Sequence, residues 1–417
     1  MLSKEEQEQF SKIFEELGKT LDISETQFNA AVASYQAVGN QLTKEGSALA
    51  IYQPEILPQG SFMLGTMIKP ISEEDDIDID LVCNLHGKNP FWTQQKLKEE
   101  VGKQLAENMV YKDMMEDKRR CWTLTYRKDS PNLKERYHMD ILPSIVNSNY
   151  KITLERELKM ALDMSTTKQL EICITDNQTN NYRTETDHQK WLLTNPFGYG
   201  KWFFDRAINN SDLYKELSRA IRPVPEYSNK KLVLQRVVQI LKRHRDIIWY
   251  NRTDKDDKPI SIIITTLAAK AYKKEQNLME TLLNVVERMG NEIEEKYSIQ
   301  HGDYIKWIAN PVNDKENFAD KWPDNPRKED NFYDWLKAVK LDLNKIIAKK
   351  GLGLPDIGEA MSQPFGKDLV KNAFTSYGEL SLLSRTDGNM KMAASTGILS
   401  SVGRTIVPAH QPFGANE

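Results

Sequence analysis

The sequence is 417 residues long and sets 57 lysines and arginines against 60 aspartates and glutamates, a formal charge of −3, with 39% hydrophobic and 28% charged residues. A chain of this length favours two packed lobes, and its charge balance argues against coating long nucleic acid, although a small basic pocket stays compatible. Cys83, Cys121 and Cys173 show no metal-ligand spacing, no run is long enough to span a bilayer and no charged-then-apolar leader opens the sequence, so a cytoplasmic protein with reduced thiols and no membrane contact is expected.

The spacing predicts a first helix from Ser3, whose partner Glu6 completes a capping box, with Phe10, Phe14, Leu17 and Leu21 on one stripe. A second helix is predicted over about 25–42. Next comes the run QGSFMLGTMIKPISEEDDIDIDLVCN, residues 59–84. Its Gly60-Ser61 reads as a turn that grips phosphate, since glycine lets backbone approach a ligand and a serine hydroxyl donates to a phosphate oxygen.

The strand that follows places Asp76, Asp78 and Asp80 on one face and Ile77, Ile79 and Leu81 on the other. Carboxylates so gathered suit Mg2+, which takes hard oxygen ligands and bridges protein to substrate phosphates. That points to two-metal nucleotidyl transfer, with Asp78 and Asp80 as ligands and Asp76 in support. An isolated D-x-D reads equally well as a solvated edge strand; the glycine-serine turn before it shifts the balance. Residues 121–126, Cys-Trp-Thr-Leu-Thr-Tyr, have strand propensity. Asp140, in the apolar run Tyr137-His138-Met139-Asp140-Ile141-Leu142-Pro143, is the candidate third carboxylate, set against a plain strand-end cap. His138 is read as structural, because this chemistry needs no histidine ligand.

Residues 191–204, WLLTNPFGYGKWFF, interrupted by Pro196, Gly198 and Gly200, are rich in aromatics that read first as core and otherwise as a surface that stacks on a base. A long helix is predicted over about 230–250. Its Lys242-Arg243-His244-Arg245-Asp246 reads as a solvated face near a helix end, although a triphosphate needs a cation beyond its metals and Lys242 is placed for that task. Ser261 opens an apolar helical segment, either as an ordinary N-cap or with its hydroxyl and free amides aimed at a phosphate. Helical pattern continues over 278–297 and 332–350, with a structured connector between. From about Asp387 the chain is glycine-rich and poor in large apolar residues, which predicts a flexible tail.

Together these motifs resemble the bacterial cyclic-oligonucleotide synthases, nucleotidyltransferases similar to cyclic GMP-AMP synthase and the oligoadenylate synthases. The resemblance rests on Gln59-Gly60-Ser61, Gly65-Thr66, Asp78-Ile79-Asp80, residues 139–143, Asn195-Pro196-Phe197-Gly198-Tyr199, residues 242–246 and Pro259-Ile260-Ser261, in that order. It implies an α+β fold: a polymerase-beta-like nucleotidyltransferase palm joined to a helical second lobe, with the active site between them. The expected layout is N-terminal helices over 1–56 bracing the lobes, the palm over 57–190, the helical lobe over 191–386 and a tail over 387–417.

The resemblance further implies that Asp78, Asp80 and Asp140 are catalytic and hold two Mg2+ ions, with Mn2+ a substitute. Gln59, Gly60, Ser61, Lys242 and Ser261 would bind the donor triphosphate, ATP or GTP. A ribose hydroxyl attacks an α-phosphate, pyrophosphate leaves, and a second transfer closes a cyclic di- or trinucleotide messenger for a separate effector, commonly in antiphage defence. Some relatives are conjugated through the C-terminus by a ubiquitin-transfer-like partner. Phe413-Gly414-Ala415 resembles the small-residue ending used there, but Asn416 and Glu417 extend beyond it. Two other readings stand beside this one: a template-independent terminal nucleotidyltransferase acting on RNA ends, and a non-catalytic nucleotide-sensing scaffold.

Overall fold

The computed structural model describes residues 2–71, 77–126, 137–146, 170–208, 227–394, 397–400 and 403–407. It divides into two units, one of residues 23–230 and 309–316, the other of residues 1–22, 231–308 and 317–417. The first helix therefore belongs with the C-terminal half of the chain and the second helix with the sheet.

The first unit is built on a seven-stranded sheet of β1 (Glu55–Pro58), β2 (Ile77–His86), β3 (Met115–Asp117), β4 (Trp122–Tyr126), β5 (Tyr137–Val146), β6 (Ile172–Ile174) and β7 (Leu192–Thr194). The order is β1-β2-β5-β4-β3, with β6 beside the second half of β5 and β7 beyond it. β2 and β5 run parallel, in register from Ile77↔Tyr137 to His86↔Val146. β4 runs antiparallel to the first half of β5, with Thr123 opposite Asp140 and Thr125 opposite His138.

The alternation along β2 decides which face is covered. Ile77, Ile79, Leu81, Cys83 and Leu85 join Met139 and Ile141 in one apolar core with Tyr35, Val38 and Leu42 of the helix Glu25–Leu42 and Leu97, Val101 and Leu105 of the helix Gln94–Ala106. The even-numbered residues of β2 and β5 stand on the opposite face.

Pro196, Gly198 and Gly200 do not interrupt the aromatic segment. Pro196–Ala207 is one helix, because proline suits its first turn and the buried Asn195 side chain accepts the Gly198 N–H at 2.8 Å. A β-carbon on Gly200 would lie 2.8 Å from Met63 Cε, so this glycine permits close approach to the helix Gly60–Leu64. Phe197, Tyr199, Trp202, Phe203 and Phe204 are buried, in agreement with the core reading.

In the second unit, the helix Lys4–Leu21 has the expected Ser3–Glu6 capping box. Its stripe of Phe10, Phe14, Leu17 and Leu21 is fully buried, and it packs on the helices Val233–Trp249, Leu278–Arg288 and Lys367–Thr386. Arg236, itself buried, binds Glu15 at 3.0 Å and Asp22 at 2.8 Å across this contact.

The predicted helix over 278–297 ends at Arg288. Glu294–Ser298 instead pairs with Asp303–Trp307 as a hairpin turning through Gly302 at φ +67°. In the tail, Lys391–Met392 pairs with both Leu399–Ser400 and Thr405–Ile406, a small sheet where composition predicts none. Phe413-Gly414-Ala415 and the last residues lie outside the described ones.

Candidate active site

Three of the sequence-predicted carboxylates share the face of the sheet opposite the apolar core. Asp78 is exposed, while Asp80 and Asp140 are half-buried. Asp80 and Asp140 are register partners on adjacent parallel strands, and Asp78 pairs with His138 one step along. Asp76 lies outside the described residues.

Gly60 determines the approach to Asp80. The Gln59 N–H donates to the Asp80 carbonyl at 2.8 Å, extending the β1–β2 ladder by one bond. The chain then turns at Gly60 with φ +58°, in the left-handed region that glycine tolerates. A β-carbon here would stand 2.5 Å from Asp80 Oδ2, so the backbone passes directly against that carboxylate. Ser61 follows in the first turn of Gly60–Leu64, whose end is set by Gly65 at φ +65°. The Ser61 carbonyl accepts the Thr66 N–H at 3.0 Å, so both glycine-containing turns of the predicted motif belong to one compact loop.

Asp140 is held from the other side. Thr123 on β4 donates its hydroxyl to Asp140 Oδ1 at 2.5 Å, and Thr125 hydrogen-bonds His138 Nδ1 at 3.2 Å. The Cys121 thiol, at the start of this strand, is pushed up to about 12 by burial, reinforced by the Asp140 charge and a hydrogen bond to it.

The strand presents Thr123 this way because Trp122 is locked on the opposite face. Its indole N–H donates to the Lys98 carbonyl at 2.8 Å, and its ring lies where a β-carbon on Gly102 would be. The 118–121 turn that leads into β4 is tied down by buried Asp176, which accepts Arg119 Nε at 2.8 Å and Arg120 Nε at 2.7 Å. Burial alone would raise the Asp176 carboxyl, but these bonds and the Gln178 amide hold it below the usual carboxylate range.

Neither Thr123 nor Cys121 stood out in the sequence. The signal was the Thr-x-Thr alternation in a strand, which marks a site only once the opposing strand and its register are known.

Lys242 and Ser261 both belong to the other unit. Lys242, Arg243, His244 and Arg245 are all buried, which corrects the reading of this run as a solvated face. The residue at the N-cap of Ser261–Ala271 is Ile260, so Ser261 is the first helical residue and not the cap. Arg245 Nη1 donates to Ser261 Oγ at 2.9 Å and to the Pro259 carbonyl at 3.0 Å. Lys242 stands one turn before Arg245 on the same helix side.

The donor set of Asp78, Asp80 and Asp140 is all hard oxygen on adjacent strands, and it fits a divalent cation by chemistry and backbone placement. Among the described residues no three His, Cys, Asp or Glu side chains are already drawn together as a ligand set. Asp80 turns toward Gly60 and Asp140 toward Thr123. No helix of the described residues is long and apolar enough to cross a membrane.

Comparison with known proteins agrees with this geometry. The nucleotidyltransferase domain of the cyclic GMP-AMP synthase DncV-like family matches residues 54–143, which hold Gln59, Gly60, Ser61 and all three carboxylates. A c-di-GMP synthase of Roseivirga ehrenbergii is 27% identical over 385 residues, 92% of this chain and 90% of that protein. The cyclic dinucleotide synthase CdnG of Bradyrhizobium diazoefficiens is 22% identical over 365 residues, 84% of this chain and 78% of its own length. The solved structure of CdnG in complex with GTP shares the fold at a TM-score of 0.62 and 19% identity, covering 89% of this chain and 99% of that one. Escherichia coli CdnC with ATP does so at 0.53 and 15%, covering 85% and 96%. A mixed sheet whose acidic face falls within residues 54–143 thus marks a DncV-like nucleotidyltransferase domain, in a chain similar over most of its length to two bacterial cyclic dinucleotide synthases.

Proposed function

We propose that this protein joins nucleoside triphosphates, ATP or GTP, into a cyclic di- or trinucleotide. The observation that carries the reading is the pairing of Asp80 with Asp140 across β2 and β5, with Asp78 on the same face and Gly60 against the Asp80 carboxylate. The R. ehrenbergii relative is named a c-di-GMP synthase and the B. diazoefficiens relative a cyclic dinucleotide synthase, which supports the same chemistry.

In this reading Asp78, Asp80 and Asp140 would hold two Mg2+ ions, which supply charge neutralisation at the reacting phosphate. Asp78 and Asp80 come from one strand and Asp140 from its neighbour, so the sheet itself spaces the carboxylates. Gln59, Gly60 and Ser61 would cradle the donor triphosphate, with the Ser61 hydroxyl donating to a phosphate oxygen. Lys242 would supply a cation and Ser261 a hydroxyl. Phosphoryl transfer needs positioning and charge stabilisation more than a covalent nucleophile, which is why these residue types suffice. The product would act on a separate effector, in the cytoplasm and in antiphage defence. The C-terminal tail is read first as having no conjugating partner, with conjugation by a ubiquitin-transfer-like enzyme as the alternative.

Incubation of the pure protein with Mg2+ and all four triphosphates, followed by mass spectrometry, tests it. Cyclic products without a primer are expected, and the variant carrying both Asp78→Asn and Asp80→Asn should make none while keeping its circular dichroism spectrum, since amides neutralise no charge. Extension of an added RNA primer with no cyclic product would favour the terminal transferase instead.

A further inference from the structure

We infer that Thr123 is a positioning residue for the catalytic face: it fixes the Asp140 carboxylate through Oδ1 so that the second oxygen is presented to a divalent cation. The inference rests on the reading of Asp140 as a cation ligand and extends it to a strand with no acidic residue of its own.

Three observations carry it. Thr123 Oγ1 donates to Asp140 Oδ1 at 2.5 Å from a register position directly opposite, so the bond is built into strand pairing and not into a mobile loop. Thr123 is itself buried, at 5% exposure, so water competes little for its hydroxyl. Its direction is over-determined. Trp122 on the other face is held by Gly102 and the Lys98 carbonyl, and the turn before it is clamped by Asp176. A strand locked on one face has no freedom to turn its threonine away on the other.

A half-buried carboxylate has two rotamer-accessible oxygens and no intrinsic preference between them. The bond from Thr123, a fixed donor beside the Cys121 thiol that also reaches Asp140, removes that freedom before any cation arrives. Groups that orient metal-binding carboxylates in this way are worth about 10–100-fold in metal affinity.

The test is Mn2+ binding to the full-length protein without nucleotide, read as loss of the free Mn2+ electron paramagnetic resonance signal, for wild type, Thr123→Val, Thr123→Ser, Thr125→Val and Asp140→Asn. Thr123→Val keeps the side-chain shape and removes the donor. It should weaken Mn2+ binding about ten-fold. Thr123→Ser should bind as wild type does, and Thr125→Val, which loses a threonine from the same face of the same strand, should too. In an Asp140→Asn background Thr123→Val should cost nothing further. Should valine not be accommodated, Thr123→Ala gives the same comparison. If Asp140→Asn weakens binding while Thr123→Val and Thr123→Ala do not, the inference is wrong and the reading of Asp140 stands. If Asp140→Asn leaves Mn2+ binding unchanged, the reading of Asp140 fails and takes the inference with it.

Discussion

Adding one methyl group at Gly60 should cost turnover far more than stability. Two separate penalties arise there. Gly60 sits at φ +58°, where an L-residue loses roughly 1–2 kcal/mol. That corresponds to a drop of about 2–4 °C in melting temperature per kcal/mol in a unit of this size. The new β-carbon would also stand 2.5 Å from Asp80 Oδ2, whereas such contacts essentially never fall below 3.0 Å, so the carboxylate must retreat by about half an ångström or more. Misplacement of a reacting group by about 1 Å costs on the order of 100-fold, so a fall of about ten- to 100-fold in turnover is expected. Gly46→Ala separates the penalties, since Gly46 has φ +84° with nothing within 4 Å of its β-carbon position. Both variants should melt earlier by similar amounts in circular dichroism. In a pyrophosphate-release assay with saturating triphosphates, only Gly60→Ala should be slow. Equal turnover in the two variants would refute the claim that Gly60 exists to let the chain pass Asp80.

Lys242→Ala should raise the dissociation constant for ATP or GTP through loss of a charge-assisted hydrogen bond, about 1.5–3 kcal/mol, measured by isothermal titration calorimetry; unchanged affinity would reduce Lys242 to a packing residue of its helix. Asp176→Asn should destabilise the protein at neutral pH by about 1.5–3 kcal/mol, toward the low end because Arg119 and Arg120 are partly in water. Because the folded Asp176 carboxyl lies below its ordinary range, its contribution is present above the unfolded value of about 4 and is lost as pH falls through the folded one. The gap between wild-type and variant melting temperatures should therefore close in acid, and a gap that stays constant down to the lowest pH would contradict the pairing.

The acidic face was legible where the signal was local. Asp78 and Asp80 alternate with Ile77, Ile79 and Leu81, and a period of two fixes which side meets the core. Asp140 was legible as a candidate from its apolar run, but not as the neighbour of Asp80, because that depends on β2 and β5 pairing across about sixty residues. Thr123 was illegible for the same reason at one more remove: its partner is defined by the register of a third strand. The segment around Pro196 misled because glycine and proline were read as breakers, whereas Pro196 starts a helix and Gly200 makes room for Met63. Residues 242–245 misled because charge suggests solvent. Arg245 is buried with the Pro259 carbonyl, Ser261 and Asp246 as its partners, none of which lies close enough in sequence to foretell burial except the last.

The first helix has a consequence for how the chain is made. Its apolar stripe ends at Leu21, but the helices that cover it begin at Val233 and end only at Thr386. At translation rates of about 5–20 residues per second, Phe10, Phe14, Leu17 and Leu21 wait roughly 10–40 s for the first of those partners to be synthesised. During that interval the sheet unit between them has nearly all of its residues and can fold, while the Lys4–Leu21 segment stays uncovered on a growing nascent chain. A segment left uncovered for that long stays productive only if it aggregates slowly. The Glu5, Glu6, Glu8, Lys12, Glu15, Glu16 and Lys19 that line the same helix supply the charge such a segment needs to stay dispersed.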